Sequence, residues 1–207
     1  MTRANTYDER YARPEYYWGK KPSTLCERVI ELAPPREGSR PKLLDLGCGE
    51  GRDCVYFARH GFDVVGLDLS EVGLAKARRY AEEIGVQVRT VCADIVAYEL
   101  DDLYHVIFST GTLHYLPKRV RTCRFQDYKE HTTPGGIHAL TVFVEKPFIP
   151  RAPDAEENSH PYRSGELLGY YWDWEILYCT EEIFDCRSSG IPHRHAVNRV
   201  IARKPGG

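Results

Sequence analysis

The sequence predicts an α/β fold in which helices cover both faces of one mostly parallel sheet. Short apolar runs alternate with helical stretches through residues 42–145, and this alternation is typical of parallel sheets joined by crossover helices. The 207 residues suit one domain with a sizeable core. Two further apolar runs within residues 174–204, separated by turn-forming residues, predict that the sheet closes with an antiparallel hairpin.

The individual elements follow from apolar runs, capping residues and helix breakers. The predicted strands are apolar runs bounded by turn residues, and they cover 42–46, 62–67, 86–92, 104–109, 137–144, 174–184 and 196–202. The predicted helices begin and end at capping or breaking residues, and they cover 23–33, 52–60, 70–84, 118–131 and 164–172. Thr24 and Glu27 have the spacing of a capping box, and Pro134-Gly135-Gly136 predicts a turn.

The single domain divides into four segments along the chain. Residues 1–35 are expected to form an aromatic and helical N-terminal cap, and residues 42–145 a ligand-binding core. Residues 146–173 are an insertion followed by a short helix, and residues 174–204 form the closing hairpin. Proline and charge are frequent in residues 146–163, which predicts an irregular segment that could serve as a lid.

Charge and composition exclude several classes of function. The 28 Lys and Arg residues do not outnumber the 30 Asp and Glu residues, so no nucleic-acid partner is expected. No apolar run approaches 18 residues and no signal-peptide core is present, so no membrane association is expected. The seven cysteines are scattered without a C-x-x-C pair, which predicts reduced thiols in the cytoplasm and no metal site. We expect a small-molecule partner and a monomer or homodimer.

A glycine-rich loop, Asp45-Leu46-Gly47-Cys48-Gly49-Glu50-Gly51, follows the first predicted strand and precedes a helix. Such a loop lets a ligand approach the backbone and the helix-end amides. Its G-x-G-x-G spacing differs from the G-x-G-x-x-G of dinucleotide sites, since the third glycine of that motif would fall on Arg52. A nicotinamide oxidoreductase is therefore disfavoured. Asp45 would repel a pyrophosphate but suits a ligand with a positive amino group.

Two further carboxylates follow the second and third predicted strands. Asp68 is placed to accept both hydroxyls of a ribose, and Asp94 to accept from an adenine amino group. The competing interpretation is that both are strand-end or helix-cap residues. Because ligands of such sheets bind at the carboxyl edge of the strands, three carboxylates in equivalent places favour the ligand interpretation.

These motifs resemble those of class I S-adenosylmethionine-dependent methyltransferases over residues 42–145. The resemblance implies a Rossmann-like, seven-stranded sheet in the order 3-2-1-4-5-7-6 with an antiparallel last strand. It also implies S-adenosyl-L-methionine as cofactor and S-adenosyl-L-homocysteine as product. The cofactor-binding residues that it implies, including backbone contacts, are Asp45, Gly47, Cys48, Gly49, Gly51, Asp68, Leu69, Asp94, Ile95, Ser109 and Thr110.

A narrower resemblance is to the tellurite-resistance methyltransferases and related small-molecule enzymes that methylate chalcogen oxyanions or thiols. It rests on the segments 46–58, 108–110, 129–136 and 165–175, the last together with Ala202-Arg203-Lys204. His193-Arg194 is the counterpart of a His-Arg pair in that family's final hairpin. The resemblance implies transfer of a methyl group to a soft nucleophile, either a thiol or an oxyanion such as tellurite or selenite.

The acceptor site is less strongly indicated than the cofactor site. His114, His193 and Arg194 are the catalytic candidates, and Tyr16, Tyr17, Trp18 and Tyr115 are the aromatic candidates for binding the acceptor. The competing interpretations are a half-buried structural histidine, a hydrophobic cap and an exposed turn. Two other functions stay open: O- or N-methylation of a natural product or metabolite with His114 as base, and a non-catalytic module that senses the cofactor.

Overall fold

The computed structural model describes residues 3–33, 38–153, 155–187 and 190–206. Seven strands form a sheet in the order β3-β2-β1-β4-β5-β7-β6. The strands are β1 (Lys42–Leu46), β2 (Asp63–Asp68), β3 (Val88–Cys92), β4 (Tyr104–Thr110), β5 (Thr132–Val144), β6 (Glu175–Cys186) and β7 (His193–Arg203). β7 pairs antiparallel with both β5 and β6, and the other neighbouring strands of the sheet pair in parallel. The predicted strand order and the antiparallel last strand are confirmed.

Helices pack on both faces of the sheet, as predicted. They are α1 (Arg3–Tyr11), α2 (Leu25–Leu32), α3 (Arg52–Arg59), α4 (Glu71–Ile84), α5 (Lys118–Glu130) and α6 (Glu166–Gly169), with a 3₁₀ turn at Leu113–Tyr115. Alternate residues of a strand point to opposite faces. Leu44 and Ile107 accordingly belong to one apolar cluster with α5 and α6, whereas Leu43 and Val106 belong to a second cluster with α2 and α3. The central strands are therefore buried on both sides.

Three local predictions were wrong. Thr24 is helical and makes no capping hydrogen bond with its side chain. The Pro134-Gly135-Gly136 turn lies inside β5 as an irregularity of the ladder, because the backbone of Gly135 and Gly136 hydrogen-bonds to Lys204. The helix predicted over 164–172 contracts to the four residues of α6.

The α4 helix shows why its limits could be predicted closely. The Ser70 hydroxyl accepts the backbone N–H of Gly73 at 3.1 Å, and Gly85 ends the helix in the left-handed conformation. The cap at Ser70 fixes the start of α4 next to the carboxyl end of β2. Among the described residues, no helix combines the length and apolar character that crossing a bilayer requires.

Candidate functional site

A cavity of about 1010 Å³ opens at the carboxyl ends of the central strands. The sheet order reverses between β1 and β4, and this switch point is where ligands bind in open α/β sheets. The glycine loop forms its floor, α1 closes one side, and residues 146–157 with the start of β7 close the other.

The glycine loop is shaped by close contacts to its neighbours. The backbone N–H groups of Gly47 and Cys48 both donate to the carbonyl of Leu67, at 2.7 and 3.0 Å. A Cβ on Gly47 would lie 2.0 Å from Oγ1 of Thr112, and a Cβ on Gly51 would lie 2.5 Å from that of Ala77. Both glycines also have positive φ, so a side chain is disfavoured by the backbone conformation as well as by the close contact. Gly51 thus serves the packing of α3 on α4 and does not line the cavity.

Asp45 and Asp53 place two buried carboxylates beneath the loop. Burial, and then the nearby charge of Asp53, raises the pKa of Asp45 well above its usual value. The Cys54 thiol donates to Asp45 at 3.3 Å, while Asp53 accepts the backbone N–H of Ser23 at 2.7 Å and the hydroxyl of Thr110 at 3.3 Å. Both carboxylates line the cavity. A cationic group bound beside them would relieve the cost of burying their charge.

Asp68 is held in one orientation by two backbone donors. One carboxylate oxygen accepts the N–H of Gly49 at 2.8 Å, and the other accepts the N–H of Ser70 at 2.9 Å. Burial nevertheless raises the pKa of this carboxyl. Since the N-cap of α4 is Ser70, the helix does not need Asp68 as its cap. The carboxylate is therefore rigid and retains lone pairs for hydroxyl donors in the cavity.

The loop after β3 completes the row of carboxylates. Asp94 accepts the N–H of Val96 at 2.9 Å, and Asp94 and Ile95 both line the cavity together with Leu69. Asp45, Asp68 and Asp94 thus meet in one cavity from the ends of three adjacent strands.

The N-terminal cap covers the loop with aromatic side chains. Tyr7 and Tyr11, whose rings lie 5.5 Å apart on α1, both line the cavity. The hydroxyls of Tyr7 and Tyr115 are 2.7 Å apart, and burial raises the pKa of Tyr7 to about 12. These phenols are therefore neutral at physiological pH. Trp18 also lines the cavity, and its backbone N–H donates to Glu50 at 3.4 Å.

A buried lysine on α4 anchors this cap. The ammonium of Lys76 donates to the carbonyls of Tyr11, Arg13 and Glu15 at 3.2, 3.0 and 2.7 Å. It also pairs with Glu50 of the glycine loop at 2.5 Å. One side chain thereby ties α4, the loop and the N-terminal cap into a single unit.

The opposite half of the cavity is lined by rings and basic groups. The His114 ring lies 4.2 Å from Tyr115 and 5.0 Å from Phe143, and Phe143 lies 4.8 Å from His195. Arg194 lies at the rim, and no acidic group within the described residues pairs with its guanidinium. Its positive charge could attract an anion to this side of the cavity.

Residues 146–153 and 155–163 cover this half, and the segment is held at its carboxyl end. The His160 N–H donates to the carbonyl of His114 at 2.7 Å, and the Tyr162 N–H donates to Phe143 at 2.8 Å. Glu156 forms an ion pair with Arg10 of α1 at 2.9 Å. The segment and the N-terminal cap thus meet above the cavity.

Most of the predicted site residues line the cavity, and five do not. Ser109 is buried and donates to the Leu46 carbonyl, and Tyr16 packs on Tyr80. The other three are Gly51, Tyr17 and His193. Sequence reasoning missed cavity residues that share no motif: Tyr7, Arg10, Tyr11, Asp53, Thr112, Phe143, Glu156 and His195. Position near the carboxyl end of a central strand was the available signal for Thr112, just after β4, and Phe143, near the end of β5.

Sequence comparison finds relatives of this chain among methyltransferases. The chain is 29% identical over 173 residues to the probable S-adenosyl-L-methionine-dependent methyltransferase TehB of Haemophilus influenzae. That alignment covers 84% of this chain and 59% of the relative, so the chain spans less than two thirds of that protein's length. It is also 30% identical over 132 residues to the 2-heptyl-1-hydroxyquinolin-4(1H)-one methyltransferase of Mycobacteroides abscessus, covering 63% of this chain and 58% of that protein.

The fold is shared with solved structures. The crystal structure of TehB from Haemophilus influenzae superposes with a TM-score of 0.77 at 24% identity, covering 97% of this chain and 66% of that one. The family model for tellurite resistance protein TehB matches residues 10–191, which includes the cap residue Tyr11, the glycine loop and β6, and ends before β7. The chain therefore belongs to the TehB family.

Proposed function

We propose that the chain transfers a methyl group from S-adenosyl-L-methionine to a small anionic acceptor with a soft nucleophilic atom, a thiolate or a chalcogen oxyanion. The observation that carries the proposal is the meeting of Asp45, Asp68 and Asp94 in one cavity around a glycine loop. Membership of the TehB family and similarity to a probable S-adenosyl-L-methionine-dependent methyltransferase support it.

The residues present fit this cofactor. Asp68, oriented by the N–H groups of Gly49 and Ser70, would accept the two ribose hydroxyls. Asp45, with Asp53 behind it, would hold the ammonium of the methionine part. Asp94 would accept from the adenine amino group, with Ile95 beside the ring. The absence of a side chain at Gly47 and Gly49 leaves the loop backbone open to the ligand.

The bound cofactor supplies an activated methyl group on a sulfonium. The protein's own part is alignment and exclusion of water. Tyr7, Tyr11 and Tyr115 present neutral, electron-rich rings to the cavity, which suit a sulfonium through cation–π contact. Arg194 attracts an anionic acceptor to the rim, and the rings of Phe143 and His114 offer a polarisable wall for a sulfur, selenium or tellurium centre.

Calorimetric titration with S-adenosyl-L-methionine and S-adenosyl-L-homocysteine tests the cofactor half of the proposal. We expect Asp68→Asn to weaken binding roughly 10- to 100-fold, because a charged hydrogen bond contributes about 1.5–3 kcal/mol. Asp63→Asn is the matched control. Asp63 lies at the other end of β2 from Asp68 and forms an ion pair with Arg89 on the surface. Equal affinities of both variants and the parent would remove Asp68 from the site.

Turnover with a panel of acceptors tests the part of the proposal that concerns the acceptor. Headspace mass spectrometry of reactions with tellurite, selenite and simple thiols should show volatile methylated products that depend on the protein. We expect Arg194→Gln to raise KM for the acceptor and leave cofactor affinity unchanged. Cofactor binding without turnover on any acceptor would instead support the sensing module.

One observation favours a second candidate, O- or N-methylation of a larger metabolite. The cavity volume is at the upper end of the roughly 300–1,000 Å³ range that buries drug-sized ligands, which leaves room for an organic acceptor. The quinolone methyltransferase among the relatives points the same way. An oxygen or nitrogen nucleophile needs a base, and His114 is the residue placed to act. A loss of turnover in His114→Gln on hydroxylated aromatic acceptors would favour this candidate; unchanged turnover would remove it.

A further inference from the structure

Three side chains with metal-ligating atoms converge at the end of the β6–β7 hairpin. Cys186 pairs directly with His193 across the two strands. Residues two apart on a strand share a face, so His195 lies on the same side as His193. One ligand atom from each of the three residues lies within 4.8 Å of the others. No sequence spacing indicates this cluster, because only the cross-strand register brings Cys186 to the histidines.

The histidines are oriented with their ε nitrogens towards the cluster. Nδ1 of His193 lies 2.7 Å from the carbonyl oxygen of Ile191. A carbonyl can only accept, so Nδ1 carries the hydrogen and Nε2 is the nitrogen presented to the partners. Nε2 of His193 lies 2.9 Å from Nε2 of His195. A backbone carbonyl that fixes the ring through the remote nitrogen is the usual support of a metal-binding histidine.

We propose that Cys186, His193 and His195 bind one Zn²⁺ ion through a thiolate sulfur and two imidazole nitrogens. Zinc is borderline-soft and accepts this mixed donor set. Its usual bond lengths place tetrahedral ligand atoms about 3.3–3.6 Å apart, so small side-chain rotations close the observed cluster around an ion. On binding, the Cys186 S–H bond breaks and its proton passes to solvent. The ε hydrogen that the two imidazoles share moves to Nδ1 of His195, which keeps both rings neutral.

The ion would face the acceptor half of the cavity. Cys186 and His195 both line the cavity, and the His195 ring packs 4.8 Å from Phe143. Three protein ligands leave the fourth tetrahedral position open, as in catalytic zinc sites. A thiolate or oxyanion acceptor is the class of ligand that such a position takes. This role rests on the proposed function, whereas the binding of the ion does not.

Titration of the full chain, stripped of metal by a chelator, tests the site. Zn²⁺ is titrated in competition with a chromophoric chelator, and Co²⁺ serves as the spectroscopic probe. We expect one ion per chain, tetrahedral cobalt bands and a thiolate-to-cobalt charge-transfer band. Cys186→Ser should abolish that band, and both Cys186→Ser and His193→Gln should weaken zinc binding by at least roughly 100-fold.

Matched controls separate the site from adventitious binding. Cys179→Ser removes an exposed thiol from the same strand, and His60→Gln removes an exposed imidazole on another face. Both should leave zinc affinity and the cobalt spectrum unchanged. Denaturant midpoints confirm that each variant is folded.

The proposal is overturned if the parent binds no zinc, if Cys186→Ser binds as tightly as the parent, or if Cys179→Ser loses as much affinity as Cys186→Ser. None of these measurements uses the cofactor or an acceptor. A preparation that binds zinc at this cluster but not S-adenosyl-L-methionine would therefore reject the proposed function and keep the metal site. The reverse result would reject the metal site alone.

Discussion

The buried carboxylate of Asp45 lowers the stability of the ligand-free fold. Burial and the charge of Asp53 raise its pKa, so the folded protein holds a proton there more tightly than the unfolded chain does. The stability contributed by that bound proton is lost as pH rises through the folded-state pKa. Function demands a carboxylate that folding alone would not select.

We therefore expect Asp45→Asn to raise the Tm of the ligand-free protein at pH 8 and to abolish tight binding of S-adenosyl-L-methionine. The amide is isosteric and can still accept from the Cys54 thiol, so packing is kept. Differential scanning fluorimetry at pH 8 and pH 5 measures the effect, and the gain should shrink at the lower pH. A lower Tm for the variant at pH 8 would contradict the argument.

His138 supplies a second pH effect, in the core and away from the cavity. Thr132 donates its hydroxyl hydrogen to the Tyr128 carbonyl, so Nε2 of His138 donates to Thr132 and Nδ1 accepts from the Tyr171 hydroxyl. Burial lowers the pKa of His138 to about 3. The ring is neutral in the fold, whereas in the unfolded chain it gains a proton below a pKa of about 6.5.

The fold should therefore lose stability through His138 as pH falls from about 6.5 towards 3, by roughly 1.4 kcal/mol for each pH unit. Urea unfolding at pH 7.5 and 5.5 measures this, with His138→Gln as the variant that lacks the titration. We expect the free energy of unfolding of the parent to fall by about 1.4 kcal/mol more than that of the variant. Parallel pH dependence of the two proteins would show that His138 does not titrate in this way.

The N-terminal cap depends on one buried ion pair. Lys76 binds three cap carbonyls and Glu50, so Lys76→Met would strand a buried carboxylate and undock residues 11–15. We expect a loss of roughly 3–5 kcal/mol in the free energy of unfolding, because an unpaired buried charge is costly. The double variant Lys76→Met with Glu50→Gln should recover part of that loss, and guanidinium unfolding measures both. A double variant as unstable as the sum of its parts would mean that the pair does not interact energetically.

The segment 146–163 and α1 are expected to respond to the ligand together. Arg10 and Glu156 join them above the cavity, so a cofactor that packs under both should slow their local opening. Hydrogen exchange followed by mass spectrometry, with and without S-adenosyl-L-homocysteine, should show increased protection in both segments. Glu156→Gln should uncouple them, leaving protection in α1 and reducing it in 146–157. Protection confined to the glycine loop would reject a lid.

Elements of the core could be predicted closely because their signals are local. The β1 limits follow from an apolar run that ends at a glycine, and α4 from Ser70 and Gly85. The hairpin could not be delimited, because β6 and β7 extend beyond their apolar runs through ladder pairing of polar residues such as Asp185 with Arg194. Such pairing depends on a partner strand and leaves no local pattern.

The site divides in the same way. Asp45, Asp68 and Asp94 could be predicted because each lies at or just after the carboxyl end of a recognisable strand. Tyr7, Phe143 and His195 reach the cavity from segments distant in sequence, brought together by the sheet order and by the return of 146–163. Spacing along the chain does not predict which residues from distant segments the fold brings into contact.

The whole molecule should become more stable when the cofactor binds. A ligand that binds only the folded state adds about 2.7 kcal/mol at a concentration of 100 times its Kd. For a chain of this length, that corresponds to a rise of roughly 5–11 °C in Tm. Thermal unfolding across a concentration series of S-adenosyl-L-homocysteine checks the value, with Asp68→Asn as the variant in which the rise should require far more ligand. No shift at saturating ligand would reject the binding site.

The antiparallel strand β7 sits between β5 and β6, although it is made after both. On the ribosome, the edge of β5 that pairs with β7 lacks this partner until residues 196–203 have been added, and residue 203 follows residue 144 by roughly 3–12 s at ordinary elongation rates. During that interval an apolar strand edge is open to pairing with other nascent chains. β7 closes this edge when it pairs with β5 on one side and β6 on the other. Synthesis speed and chaperone occupancy over this interval therefore bear directly on the yield of native protein.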